Sequence, residues 1–195
     1  MDLSTGQSAL RIGALQGATG VAALELFAAH GAVAGGIACA CFALGLGTAA
    51  LGQRVREWVV MAFAAHVILG MAGGLYERSA LYDKLVHGAL SFAVARFVAD
   101  ALACHIARNG LVLGARLERV VPVLAALALG TLWELFEFAA DATGLVVAQR
   151  GLADTMLDLA ADLAGAVAAF AIPRATQRES ARCSDCTTLP AAAAP

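Results

Sequence analysis

Apolar runs alternate with short polar breaks along this chain, and the runs are long enough to cross a bilayer as helices. The first covers residues 9–29, broken only by Arg11, Gln16 and Glu25. A small, Gly-rich stretch at 30–36 predicts a tight turn, and residues 37–51 resume the apolar pattern. A third run spans 58–76, with Trp58 and Tyr76 placed as interfacial anchors. After a polar loop at 77–82, a fourth run covers 83–106 and a fifth 120–140. A basic loop holding Arg108, Arg116 and Arg119 joins them. The sixth covers 154–172 and stops at Pro173. The expectation is an all-α, polytopic transmembrane bundle of about six spans over residues 1–173. Residues 174–195 read as a disordered cytoplasmic tail.

Composition sharpens this. The chain is 61% hydrophobic and 14% charged, with a mean hydropathy of +0.77. Soluble domains average about 45–50% apolar and about 25% charged residues. The length suits one domain of several spans. A net charge of −2, with no basic run, excludes a nucleic-acid partner and leaves the lipid bilayer as the expected one. The first run could also serve as a signal peptide, but Asp2 and Glu25 argue for a true span. Oligomeric state is not readable.

Charge also orients the spans. With a cytoplasmic N-terminus, the inner segments hold Arg11, Arg54, Arg56, Arg108, Arg116, Arg119, Arg174, Arg178 and Arg182. The outer segments hold Arg78, Lys84 and Arg150. This asymmetry follows the positive-inside rule and predicts a multi-pass protein of a bacterial inner membrane with both termini in the cytoplasm. The spacings Gly13/Gly17, Gly31/Gly35 and Gly70/Gly74 read as helix-packing positions.

Three polar stretches interrupt the apolar pattern at one predicted depth. Asp83 and His87 are four apart in LYDKLVHGALSFAV, Glu134 and Glu137 three apart in WELFEF. Asp154, Asp158 and Asp162 follow an i, i+4, i+8 pattern. Each set lines one helix stripe, near the outer end of its span. Ionised carboxylates packed together in low dielectric are intolerable without compensation. Protonation, an inward-folding base or a bound cation would each supply it. Carboxylates with one imidazole suit a divalent ion such as Mg²⁺, Mn²⁺ or Zn²⁺. The expected ligands are Asp83, His87, Asp158 and Asp162. Glu134 and Glu137 are the candidate general bases, and Lys84 is the candidate phosphate contact. The expected activity is metal-dependent chemistry on a lipid or cell-envelope substrate. An ion- or proton-coupled transporter and a structural polar network stay open as alternatives. Asp154 reads as a helix cap and Glu25 as a bystander. His66 reads as a packing histidine within a span, and Arg96 with Asp100 as an i, i+4 pair. Tyr76, Tyr82, Trp58 and Trp133 read as interface anchors, and Cys183/Cys186 as an incidental tail pair.

The stretches YDKLVHG, WELFEF and the late Asp-x-x-x-Asp before Gly165-Ala166 resemble the YjdF-like bacterial inner-membrane proteins over about residues 75–168. They are similar, more distantly, to the VanZ-like membrane proteins. By position, the resemblance implies that Asp83, Lys84, His87, Glu134, Glu137, Asp158 and Asp162 are the family's polar residues. Gly88 stands where an aromatic often follows the histidine. The resemblance implies a membrane location and a site, not a reaction.

Overall fold

The computed structural model describes residues 3–47, 53–144 and 147–171, and within these the fold is all-α. The elements are α1 (Leu3–Gly47), α2 (Gln53–Ala64) with a π-helical continuation (Ala65–Ala72), α3 (Leu75–Arg78), α4 (Ala80–Arg108), α5 (Ala115–Ala142) and α6 (Leu152–Ala168). The expected stop at Pro173, the tail at 174–195 and the Cys183/Cys186 pair lie outside the described residues.

α1 is a hairpin. Gly31 has φ 83° and ψ −174°, a conformation that belongs to glycine. A straight helix would hold Gln16 and Gly45 about 43 Å apart. Instead, Gln16 Nε2 donates to the Gly45 carbonyl at 2.9 Å. The reversal thus needs one non-helical residue, where the sequence suggested a turn over 30–36. Phe42 packs against Gly20, and Phe27 against Gly35, across the hairpin. A buried cluster of Ala22, Ala23, Leu26, Ala38, Cys41 and Val67 joins its two arms to the π-helical segment.

Among the described residues, three helical stretches are long and apolar enough to cross a membrane: 6–47, Ala80–Arg108 and Ala115–Ala142. Large apolar side chains are exposed on these helices and on α6: Leu81 and Leu85 on α4, Leu124, Leu132 and Phe138 on α5, and Leu157 and Val167 on α6. Such faces suit lipid.

Several boundaries shift from the sequence reading. The third run divides into α2 and the wider π turn, ending at Gly73–Gly74, where Gly74 takes φ 66°. The loop expected at 77–82 is largely helical. α4 starts three residues before Asp83, because Ser79 caps it by accepting from the Tyr82 amide. α5 extends outward to Ala115 and carries Pro122 near its start. Gly151, not Asp154, occupies the N-cap position of α6.

α4, α5 and α6 pack as the unit that carries the polar residues. Ala95, Ala126, Ala166 and Ala169 form its buried seam, flanked by Phe92, Val94, Val123 and Phe170. The closest approach is between α4 and α6, where a Cβ on Gly165 would overlap the backbone of Gly88. A Cβ on Gly130 of α5 would overlap the Asp162 carboxylate. Gly88, Gly130 and Gly165 are therefore the glycines that let these helices close. Gly13 and Gly17 face open space, so their spacing does not report packing within the chain. Gly70 accommodates the Tyr76 ring.

Candidate cation centre

The site grows from two helix stripes. On α4, Asp83, His87 and Ser91 repeat every four residues; on α6, Asp154, Asp158 and Asp162 do the same. Because Gly88 and Gly165 bring these helices together, the stripes face each other. Glu134 of α5 closes the third side. Burial is deep: His87 is 7% exposed, Glu134 4%, Asp158 2% and Asp162 1%.

Lys84 is the first counter-charge. Its ammonium lies 2.5 Å from Asp154 Oδ1, 2.7 Å from the Asp158 carboxylate and 3.4 Å from Asp83 Oδ2. It is an internal brace between α4 and α6. That engagement leaves it poorly placed for the phosphate contact expected of it. Asp154 spends its carboxylate on Lys84 and makes no cap hydrogen bond, so the capping role is corrected: the residue belongs to the site.

His87 is the pivot. Nδ1 faces the Asp162 carboxylate, with oxygens at 3.3 and 3.4 Å. Asp162 Oδ1 accepts from Ser91 Oγ at 2.7 Å. A carboxylate on Nδ1 selects the tautomer protonated there and aims Nε2 away. Nε2 looks onto Glu134 Oε1 at 3.7 Å, and onto Asp83 Oδ1 and Asp158 Oδ1 at 4.0 Å each. These separations exceed hydrogen-bond lengths. Glu134 Oε1 is buried with no hydrogen-bond partner.

Asp83, His87 and Asp158 offer ligand atoms that all lie within 4.8 Å of one another. Atoms sharing a Zn²⁺ or Mg²⁺ at about 2.0–2.1 Å lie roughly 3–3.5 Å apart. Gathering the three donors on one ion means drawing them together by up to about 1.5 Å. Asp162, expected among the ligands, sits instead on the opposite ring nitrogen, where it orients the imidazole. Glu137 turns elsewhere, accepting from Trp133 Nε1 at 2.8 Å. Glu25 is exposed on α1 and has no part in this geometry.

A second polar chain borders the site. His66 Nδ1 meets Tyr76 Oη at 2.5 Å, and its ring is edge-on to Trp133 at 5.4 Å. His66 Nε2 is buried without a hydrogen-bond partner, so this histidine is not a fully satisfied packing residue. Tyr82 Oη donates to the Ala65 carbonyl at 2.7 Å, and Trp58 packs on Phe92 at 5.7 Å. The four aromatics read as anchors all have partners inside the protein. Arg96 donates to the Ala169 carbonyl at 3.2 Å, tying α4 to the end of α6.

The loop between α5 and α6 supplies residues that patterning missed. Asp141 accepts from the backbone amides of Ala148 and Gln149 at 2.5 and 3.0 Å. The Gln149 side-chain amide reaches the Glu134 carbonyl at 3.1 Å and Thr155 Oγ1 at 3.1 Å. Arg150 donates to the Tyr76 carbonyl. Ser91 was legible, being one more step along the Asp83/His87 stripe. Gln149 was not, because a loop has no period to place it.

A family model for predicted membrane proteins, DUF2238, matches residues 12–179. The chain belongs to that family. The match covers every residue of the site and is consistent with the YjdF-like resemblance. No curated protein and no solved structure matches the chain. The DUF2238 family assigns a membrane protein, and the described helices agree in length and apolar surface.

Proposed function

We propose that this protein holds a divalent cation between α4, α5 and α6, with His87 Nε2, Asp83 and Asp158 as ligands. The observation that carries the reading is the orientation of His87. Ser91 holds Asp162, Asp162 holds Nδ1, and Nε2 is left facing three carboxylate oxygens that are too distant to hydrogen-bond with it. A carboxylate behind a metal-ligating histidine is the usual outer-shell arrangement. Charge agrees with this: Asp83, Glu134, Asp154, Asp158 and Asp162 surround one lysine and one imidazole. A divalent ion offsets that excess. One imidazole with carboxylate oxygens suits Mg²⁺, Mn²⁺ or Zn²⁺.

The reading extends to topology and activity. The two arms of α1, the α2–π segment, α4, α5 and α6 act as six crossings of a bacterial inner membrane, with both termini cytoplasmic. The site then lies toward the extracytoplasmic side, where α4 begins, α5 ends and α6 begins. A divalent cation held by His87, Asp83 and Asp158 would supply an activated water, and we assign the site to hydrolysis of a lipid or cell-envelope substrate entering from the outer leaflet.

The test is metal content of the detergent-purified chain, wild type against His87→Ala and Asp162→Asn. The wild type should retain one equivalent of divalent ion, His87→Ala none, and Asp162→Asn should bind about 10–100-fold more weakly. Equal metal content in wild type and His87→Ala would end the reading.

A further inference from the structure

The cation centre as drawn from Asp83, His87 and Asp158 leaves one buried oxygen unexplained. Glu134 Oε1 is closer to His87 Nε2, at 3.7 Å, than either aspartate oxygen, and it has no hydrogen-bond partner. Glu134 is 4% exposed. Stranding a buried carboxylate oxygen is costly, so its orientation must be imposed. The other oxygen shows by what. Gln149 Nε2 lies 3.5 Å from Glu134 Oε2 and 3.1 Å from the carbonyl of the same residue. Gln149 is itself fixed twice. Its backbone amide donates to Asp141, and its side chain also reaches Thr155 on α6. With Oε2 turned toward the loop amide, Oε1 is the atom left to face the imidazole.

We propose that Glu134 is the fourth donor of the cation centre, and that Gln149 is the positioning residue that presents it. This rests on the cation reading above. Asp162 orients the nitrogen donor from one side, and Gln149 orients the oxygen donor from the other. The α5–α6 loop thereby becomes part of the site rather than a connection between spans. One nitrogen and three carboxylate oxygens make four donors, and a six-coordinate ion such as Mg²⁺ keeps its remaining positions for water.

Co²⁺ is the probe, because its visible absorption reports the number and kind of its donors. Full-length protein in detergent is titrated with Co²⁺, for wild type, Glu134→Gln, Gln149→Ala, Gln149→Asn and the Glu134→Gln/Gln149→Ala pair. Helicity by circular dichroism and monodisperse elution confirm folding, and Gln149→Asn serves if the alanine variant does not fold. Glu134→Gln should weaken binding and shift the spectrum. Either Gln149 variant should weaken it about 10-fold or more with the same direction of shift. The pair should be no worse than Glu134→Gln alone, because Gln149 acts through Glu134. Wild-type binding with unchanged spectra in both single variants would overturn this proposal and leave the three-ligand centre standing. Additive losses in the pair would overturn the positioning role. Absence of Co²⁺ binding by the wild type would overturn both.

Discussion

Replacing Lys84 with methionine keeps most of the side-chain volume and removes the ammonium that braces α4 to α6. In the native protein that ammonium lies 2.5 Å from Asp154 and 2.7 Å from Asp158. The lysine and Asp154 side chains are 15% and 14% exposed and that of Asp158 is 3% exposed, so solvent screens the pair little. Removing one partner of a buried ion pair costs about 3–5 kcal/mol, because the other charge stays behind without compensation. For a chain of this size that is a fall in Tm on the order of 10 °C. Lys84→Met/Asp158→Asn strands only Asp154 and Asp83, whose side chains are 14% and 18% exposed against 3% for Asp158, and should recover much of the loss. The assay is thermal unfolding in detergent followed by circular dichroism, with and without millimolar Mg²⁺ or Mn²⁺. Added cation should recover part of the single variant's loss, since the site then lacks the Lys84 counter-charge. A Lys84→Met protein that melts within a degree or two of wild type, or a double variant weaker than the single, would refute the brace.

Two further predictions follow from the structure. Gly165→Ala forces α6 away from Gly88 and should cost about 1–3 kcal/mol in the same melts. Gly13→Ala, which meets open space, should leave stability unchanged or raise it by up to about 1 kcal/mol. The proposed orientation predicts that a phosphatase reporter fused after residue 182 is inactive and one inserted in the 143–150 loop is active. The opposite pattern would invert the topology.

The sequence by itself determined the class of protein and the cast of the site. Long continuous apolar runs and sparse charge required helices in lipid, because a helix satisfies its backbone hydrogen bonds within one segment, whereas a closed barrel would show alternating apolar and polar positions. Period-four spacing put Asp83 with His87, and Asp154 with Asp158 and Asp162, on single stripes, because helical rise and twist are local properties. What each residue does there depended on contacts between distant segments. Only the approach of Gly88 to Gly165 sets Lys84 against Asp154 and turns an apparent cap into an ion-pair partner. Only the ring orientation of His87 separates Asp162, behind the imidazole, from Asp83 and Asp158 in front of it. The fold of α1 back on itself at Gly31, and the reach of Gln149 to Glu134, likewise belong to tertiary structure. Periodicity assigns a face to a residue; which atom of that residue meets which partner is decided when the helices close on one another.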